Sequence, residues 1–128
     1  MGLKVLLFLL NLQLITFFEN QLVIDLQKIE SERFVKVPIF CHIRSIKLVV
    51  YGHGEYPKDL EISLYKDDRL VFATKITDFE CPDDYNFKLE AKIDYLKGLK
   101  KRGRWKLVIE DKVEDDENTI ERAYLVIK

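Results

Sequence analysis

Alternation of apolar and polar positions is the dominant signal along this chain. In residues 103–111, Trp105, Leu107 and Ile109 fall on one side and Lys106, Val108 and Glu110 on the other. That is the period of two expected of a half-buried strand. After an acidic turn the alternation returns over residues 120–128, with Ala123, Leu125 and Ile127 on one face and Arg122, Tyr124 and Val126 on the other. Residues 45–51 form the clearest strand of the first half: Ile46, Leu48 and Val50 share a face, and Gly52-His53-Gly54 ends it. Pro57-Lys58-Asp59 turns the chain into residues 60–65, with Leu60, Ile62 and Leu64 inward. Asp67-Asp68 then turns it into a short strand over 70–75, which gives a hairpin.

The remaining segments are less regular. Residues 21–36 suit a strand followed by an irregular connector. Val35-Lys-Val37-Pro38-Ile39 predicts an edge strand, since proline has no N–H to give to a neighbour. Residues 77–86 are polar, contain Pro82 and predict a surface crossing. Residues 87–96 alternate at Phe87, Leu89, Ala91 and Ile93 and predict a strand, although Leu89, Ile93 and Leu96 would also satisfy one helical face. About six to eight short strands, without a βαβ rhythm, predict an all-β antiparallel β-sandwich.

The 128 residues fit one domain with a real core, and 48% apolar against 34% charged residues describes a globular chain. A net charge of −1 gives no whole-chain attraction to nucleic acid or acidic lipid. Residues 1–20 are set apart: Lys4 is followed by a run that is apolar to Phe18 apart from Asn11, Gln13 and Thr16. This charge-then-apolar order is that of a signal peptide or hydrophobic leader, which implies a secreted or extracellular domain over 21–128. The run is too short for a comfortable membrane span of about twenty residues. No small-x-small cleavage pair follows it, so a buried N-terminal strand also fits. Cys41 and Cys81 fit either compartment. An exported chain could bridge them around a loop of about forty residues, worth about 4 kcal/mol, whereas in a reducing compartment both are small buried hydrophobes.

Three segments carry a resemblance to a known family. They are Ile46-Lys-Leu-Val-Val-Tyr-Gly-His53 with Asp59-Leu-Glu-Ile-Ser-Leu64; Leu96-Lys-Gly98 with Gly103-Arg-Trp105-Lys-Leu107; and Val108-Ile-Glu-Asp111 with Asn118-Thr-Ile120 and Leu125. Together they resemble the P domain, or Homo B domain, of proprotein convertases and other subtilisin-like serine endopeptidases. The resemblance covers residues 37–127. It implies a jelly-roll, galactose-binding-like topology and gives His53, Asp59, Gly98, Gly103 and Trp105 structural roles. It also implies a non-catalytic accessory module that packs on a subtilisin-like catalytic domain and supports its folding, stability and calcium and pH response in proteolysis. Three positions depart from the pattern: Lys66-Asp-Asp-Arg69 replaces a Ser-Pro-x-Gly turn, Asn118 replaces a glycine, and Ala123 replaces a second tryptophan. Asparagine is the usual stand-in for glycine at positive φ.

The residues themselves point away from catalysis. Ser31, Ser45 and Ser63 sit in no nucleophile-elbow context, and the chain has no room for a subtilisin-like catalytic domain. His53 and Asp59 are expected to serve as hydrogen-bonding groups at a strand end and a turn. The acidic loop offers Asp111, Asp115 and Asp116 as calcium ligands, though without EF-hand spacing. Lys97, Lys100, Lys101, Arg102 and Arg104 could dock an anionic glycan. They lack the interleaved aromatics that nucleic acid would need. The alternative to the protease-associated module is a free-standing secreted binding module for glycan, lipid or calcium.

Overall fold

A computed structural model describes residues 12–24, 27–77, 80–81, 85–112 and 117–128. Among the described residues nine strands follow one another: β1 (Gln13–Phe18), β2 (Leu22–Ile24), β3 (Lys28–Val35), β4 (Ile46–Gly54), β5 (Leu60–Lys66), β6 (Arg69–Lys75), β7 (Asn86–Lys92), β8 (Gly103–Asp111) and β9 (Asn118–Ile127). One sheet has the order β1-β9-β4-β7, with β2 also on β9; the other runs β3-β8-β5-β6. Every strand pairing is antiparallel. The inward residues of both sheets form one buried cluster, including Leu48, Val50, Ile62, Leu64, Trp105, Leu107, Ile109 and Leu125. This is the packing that period-two alternation dictates when each sheet has one apolar face.

The antiparallel order gives the sandwich two distinct ends. At the upper end lie the β4–β5 connection, the end of β8, the start of β9 and the chain entering β7. At the lower end lie the 36–45 and 93–102 connections, the β5–β6 turn, the start of β1 and the end of β9. The two long lower connections are tied together: Lys101 N–H donates to the Cys41 carbonyl at 2.9 Å, Ile43 N–H to the Leu99 carbonyl at 2.7 Å, and Gly98 N–H to the Ile43 carbonyl at 2.8 Å.

Several expectations need correction. Residues 13–18, placed in a leader, are β1, in register with β9 from Gln13↔Ile127 to Phe18↔Ala123, and Ile15 and Phe17 are buried in the core. The sandwich therefore includes Gln13, and the boundary drawn at residue 20 cuts through it; residues 1–11 lie outside the described residues. The irregular connector within 21–36 is in fact β3, an edge strand paired with β8 along its whole length. The edge strand expected over 35–39 is only the end of β3, and Pro38 opens a turn closed by Cys41 N–H. The ambiguous 87–96 segment is β7 followed by a short 3₁₀ turn, Asp94–Leu96.

Asp67 and Asp68 form the two-residue hairpin turn and both have positive φ, 49° and 66°, as a primed turn requires. The Asp67 carboxylate accepts the Arg104 N–H at 2.9 Å and the Lys66 ammonium at 3.0 Å, stapling this turn to the start of β8. The Arg104 N–H, and secondarily Lys66, hold its pKa below the ordinary carboxylate value. A lowered folded-state pKa adds stability that is present above the unfolded-state pKa and fades as pH falls through the folded one. Asp67→Asn, which tolerates positive φ, should cost up to about 1 kcal/mol at neutral pH, discounted for the exposure of the group. Urea denaturation should show that difference closing in acid.

Candidate functional site

The residues expected at the site divide between the two ends. At the upper end, His53 lies on the outer face of β4. Its Nδ1 is 2.8 Å from Glu121 Oε1, with both side chains part exposed. The local cause is a β-bulge: Tyr51 pairs with Arg122 but Gly52 pairs with Ile120, so Glu121 is the extra residue and swings to the His53 side. Bulges re-aim side chains in this way. Ser31 and Ser63 are on the other sheet and Ser45 is at the far end of β4, so none joins this pair as a nucleophile. Asp59 ends a 3₁₀ turn, Pro57–Asp59, and its N–H donates to the Tyr56 carbonyl at 3.1 Å.

Asn118 has no positive φ and is fully buried in β9, so it does not act as a stand-in for glycine. Its Nδ2 donates to the Tyr56 carbonyl at 3.3 Å and to Asp111 Oδ2 at 3.4 Å, tying the β4–β5 turn to the two strands that bracket the acidic loop. Asp111 is itself buried at the end of β8, and Asp115 and Asp116 lie outside the described residues. Among the described residues no group of three or more His, Cys, Asp or Glu is placed to hold a metal.

Two adjoining clefts open beside these groups. One of about 560 Å³ is lined by Glu55, Tyr56, Pro57, Lys58, Cys81 and Tyr85. The other, about 380 Å³, is lined by His53, Glu55, Tyr85, Asn86, Glu117 and Thr119 among others, so Glu55 and Tyr85 border both. Tyr56 and Tyr85 are 58% and 66% exposed, yet their backbones are held: the Tyr85 carbonyl accepts the Gly54 N–H at 2.8 Å, and the Tyr56 carbonyl accepts both Asn118 and Asp59. Such rings offer flat apolar area at low cost in conformational entropy, with carboxylates and an ammonium beside them to accept and donate hydrogen bonds. Neither tyrosine is legible as a site residue in the sequence, because an aromatic in a turn breaks no pattern. The one signal is that each sits in a polar connection where an apolar ring has no core to join.

The lower end holds the other expected residues. Trp105 is fully buried, and its Nε1–H donates to the Lys101 carbonyl at 2.9 Å. Gly98 and Gly103 have φ of +90° and +145°, so both glycines are required by backbone conformation. The cationic run does not form one docking surface. Lys101 is buried, which pushes its ammonium pKa down; Arg104 pairs with Asp68 at 2.6 Å; and Arg102 stacks on Phe34 at 5.6 Å. Lys97 and Lys100 remain exposed at this end.

The two cysteines are not joined. Cys41 belongs to the lower ribbon and Cys81 lines the upper cleft, separated by the length of β4, about 25 Å for its nine residues. A disulfide needs Cα atoms within about 7 Å.

No family model matches the chain, and no curated protein matches it in sequence. Solved structures do. Dimeric latent PorU from Porphyromonas gingivalis is similar with a TM-score of 0.51 and 8% identity, over 88% of this chain and 13% of that one. This chain is a jelly-roll β-sandwich. Lesser likenesses include the serine protease of Aeromonas sobria, with a TM-score of 0.48 and 10% identity over 90% of this chain and 27% of that one. The C-terminal CBM6 of LamC, a laminarinase from Zobellia galactanivorans, gives 0.46 and 7% identity over 92% of this chain and 100% of that one. The chain thus spans about an eighth of the PorU chain. At these identities the likeness shows the fold alone.

Proposed function

We propose that this is a non-catalytic, exported binding module whose upper clefts hold a glycan. The observation that carries the reading is the pair of exposed, backbone-anchored tyrosines bordering a cleft of about 560 Å³ with Glu55 and Lys58 on its rim. A sugar ring presents an apolar face to an aromatic ring and hydroxyls at its edge, and the cleft supplies partners for both. Pockets of this size with few convergent polar groups suit small ligands. The charge-then-apolar order of the first residues supports export.

A second reading is that the module serves a subtilisin-like catalytic domain. What supports it is that Gly98 and Gly103 have positive φ, Trp105 bonds the Lys101 carbonyl and His53 bonds Glu121, arrangements compatible with the roles the P-domain resemblance gives these residues. One pair of measurements separates the two. Retention on a glycan array, reduced tenfold or more by Tyr56→Ala and by Tyr85→Ala, supports the first. Absence of retention, with co-elution of a subtilase from the source extract, supports the second and overturns the first.

A further inference from the structure

We infer that the lower end of the sandwich docks on an anionic phospholipid surface. The turn between β3 and β4 carries Ile39 and Phe40 at its tip, 62% and 69% exposed, and Leu99 is 44% exposed on the neighbouring connection. The ribbon of bonds between residues 41–43 and 98–101 fixes these two connections to each other, so the apolar side chains belong to one rigid end. Cations are gathered at the same end: Arg44, Lys47, Lys92, Lys97, Lys100 and Lys128.

Four of these lysines, Lys47, Lys92, Lys97 and Lys128, line a cleft of about 390 Å³ whose one acidic side chain, among the described residues, is that of Asp94, paired with Lys97 at 3.5 Å. Lys47 and Lys92 stand directly opposite in the β4–β7 register. Like charges so placed destabilise a sheet. Glu90, which both lysines face, is engaged by Lys88 at 2.9 Å. The cleft therefore gains from an anion such as a lipid phosphate. The apolar tip decides between anionic partners: exposed Ile and Phe gain nothing from a soluble sulfated chain but are stabilised at the headgroup–acyl boundary, where apolar burial and electrostatic attraction add.

The test is co-sedimentation of the full chain with vesicles of phosphatidylserine and phosphatidylcholine and with vesicles of phosphatidylcholine alone. Binding is expected on the mixed vesicles only. The Ile39→Ser/Phe40→Ser variant keeps every charge and should bind at least tenfold more weakly. Lys47→Gln/Lys92→Gln/Lys97→Gln should lose about a hundredfold, at about fivefold per cation near an anionic surface. A Phe40→Trp variant should shift its emission to the blue on the mixed vesicles. Equal binding by wild type and either multiple variant would assign attachment to residues elsewhere and overturn the inference. So would equal binding to both vesicle types, or retention on heparin without vesicle binding.

Discussion

Replacing Trp105 by alanine is expected to cost about 3–5 kcal/mol, a large share of the stability of the protein. The side chain is fully buried among Leu64, Leu107 and the rest of the inter-sheet cluster, so truncation removes a large apolar area and leaves a cavity. It also leaves the Lys101 carbonyl without the indole N–H. That second loss matters because this bond turns the 97–102 connection over the lower end of the core. Lys66, whose ammonium lies 5.7 Å from the ring centroid, loses its platform as well. Domains of this size have only about 5–15 kcal/mol to lose. Urea denaturation gives the value directly; a loss under about 1.5 kcal/mol would mean that Trp105 does not fill the core.

Gly52→Ala is expected to cost at least about 2–3 kcal/mol for a different reason. A Cβ on Gly52 would lie 2.0 Å from the Thr119 carbonyl oxygen and 3.1 Å from Phe87 Cε1. The oxygen belongs to the β9 backbone, so relief requires the β4–β9 ladder to open at the bulge rather than a side chain to rotate. The same bulge aims Glu121 at His53, so the variant should weaken that pair together with the upper clefts. Denaturation midpoints and the His53 ring proton shifts would both register it. A variant as stable as wild type would show that the bulge has slack.

Alternation does not reveal that Val49 and Val108, on the outward side, and the polar Asp111 and Asn118 are buried. β4, β5, β8 and β9 were themselves legible from it, because the apolar residues it sets inward are covered by the opposite sheet. β3 was not, since it is an edge strand with Arg33 and Ser31 among its inward positions, where the sandwich is open at the side. β1 was obscured by chemistry shared between two fates: an apolar run of this length satisfies a leader and a core-facing strand equally. The place of the absent second tryptophan is also physical. Ala123 is buried in the same cluster as Phe17 of the neighbouring β1, while Phe87 packs over Gly52, so phenylalanines from β1 and β7 contribute aromatic volume to that core.

The candidate site was legible only in part. His53 could be read as a hydrogen-bonding residue, but its partner depends on a bulge, and a bulge is a mismatch between two strands that neither sequence displays alone. Tyr56, Tyr85, Ile39 and Phe40 are exposed rings and aliphatics in turns, invisible to a search for periodicity. The cationic run looked like one patch because its members are close in sequence. Folding buries Lys101, pairs Arg104, and instead gathers Lys47, Lys92, Lys97 and Lys128 from four separate segments.

The upper clefts are proposed as the glycan-binding surface. A titration of the ¹⁵N-labelled protein with the best-retained glycan, followed amide by amide, tests it most directly. Shifts confined to Glu55, Tyr56, Lys58, Tyr85, Asn86 and their strand neighbours, with the amides of Ile39, Phe40 and Lys97 unmoved, are the predicted result. Shifts centred on the lower end, or none at saturating ligand, would contradict it.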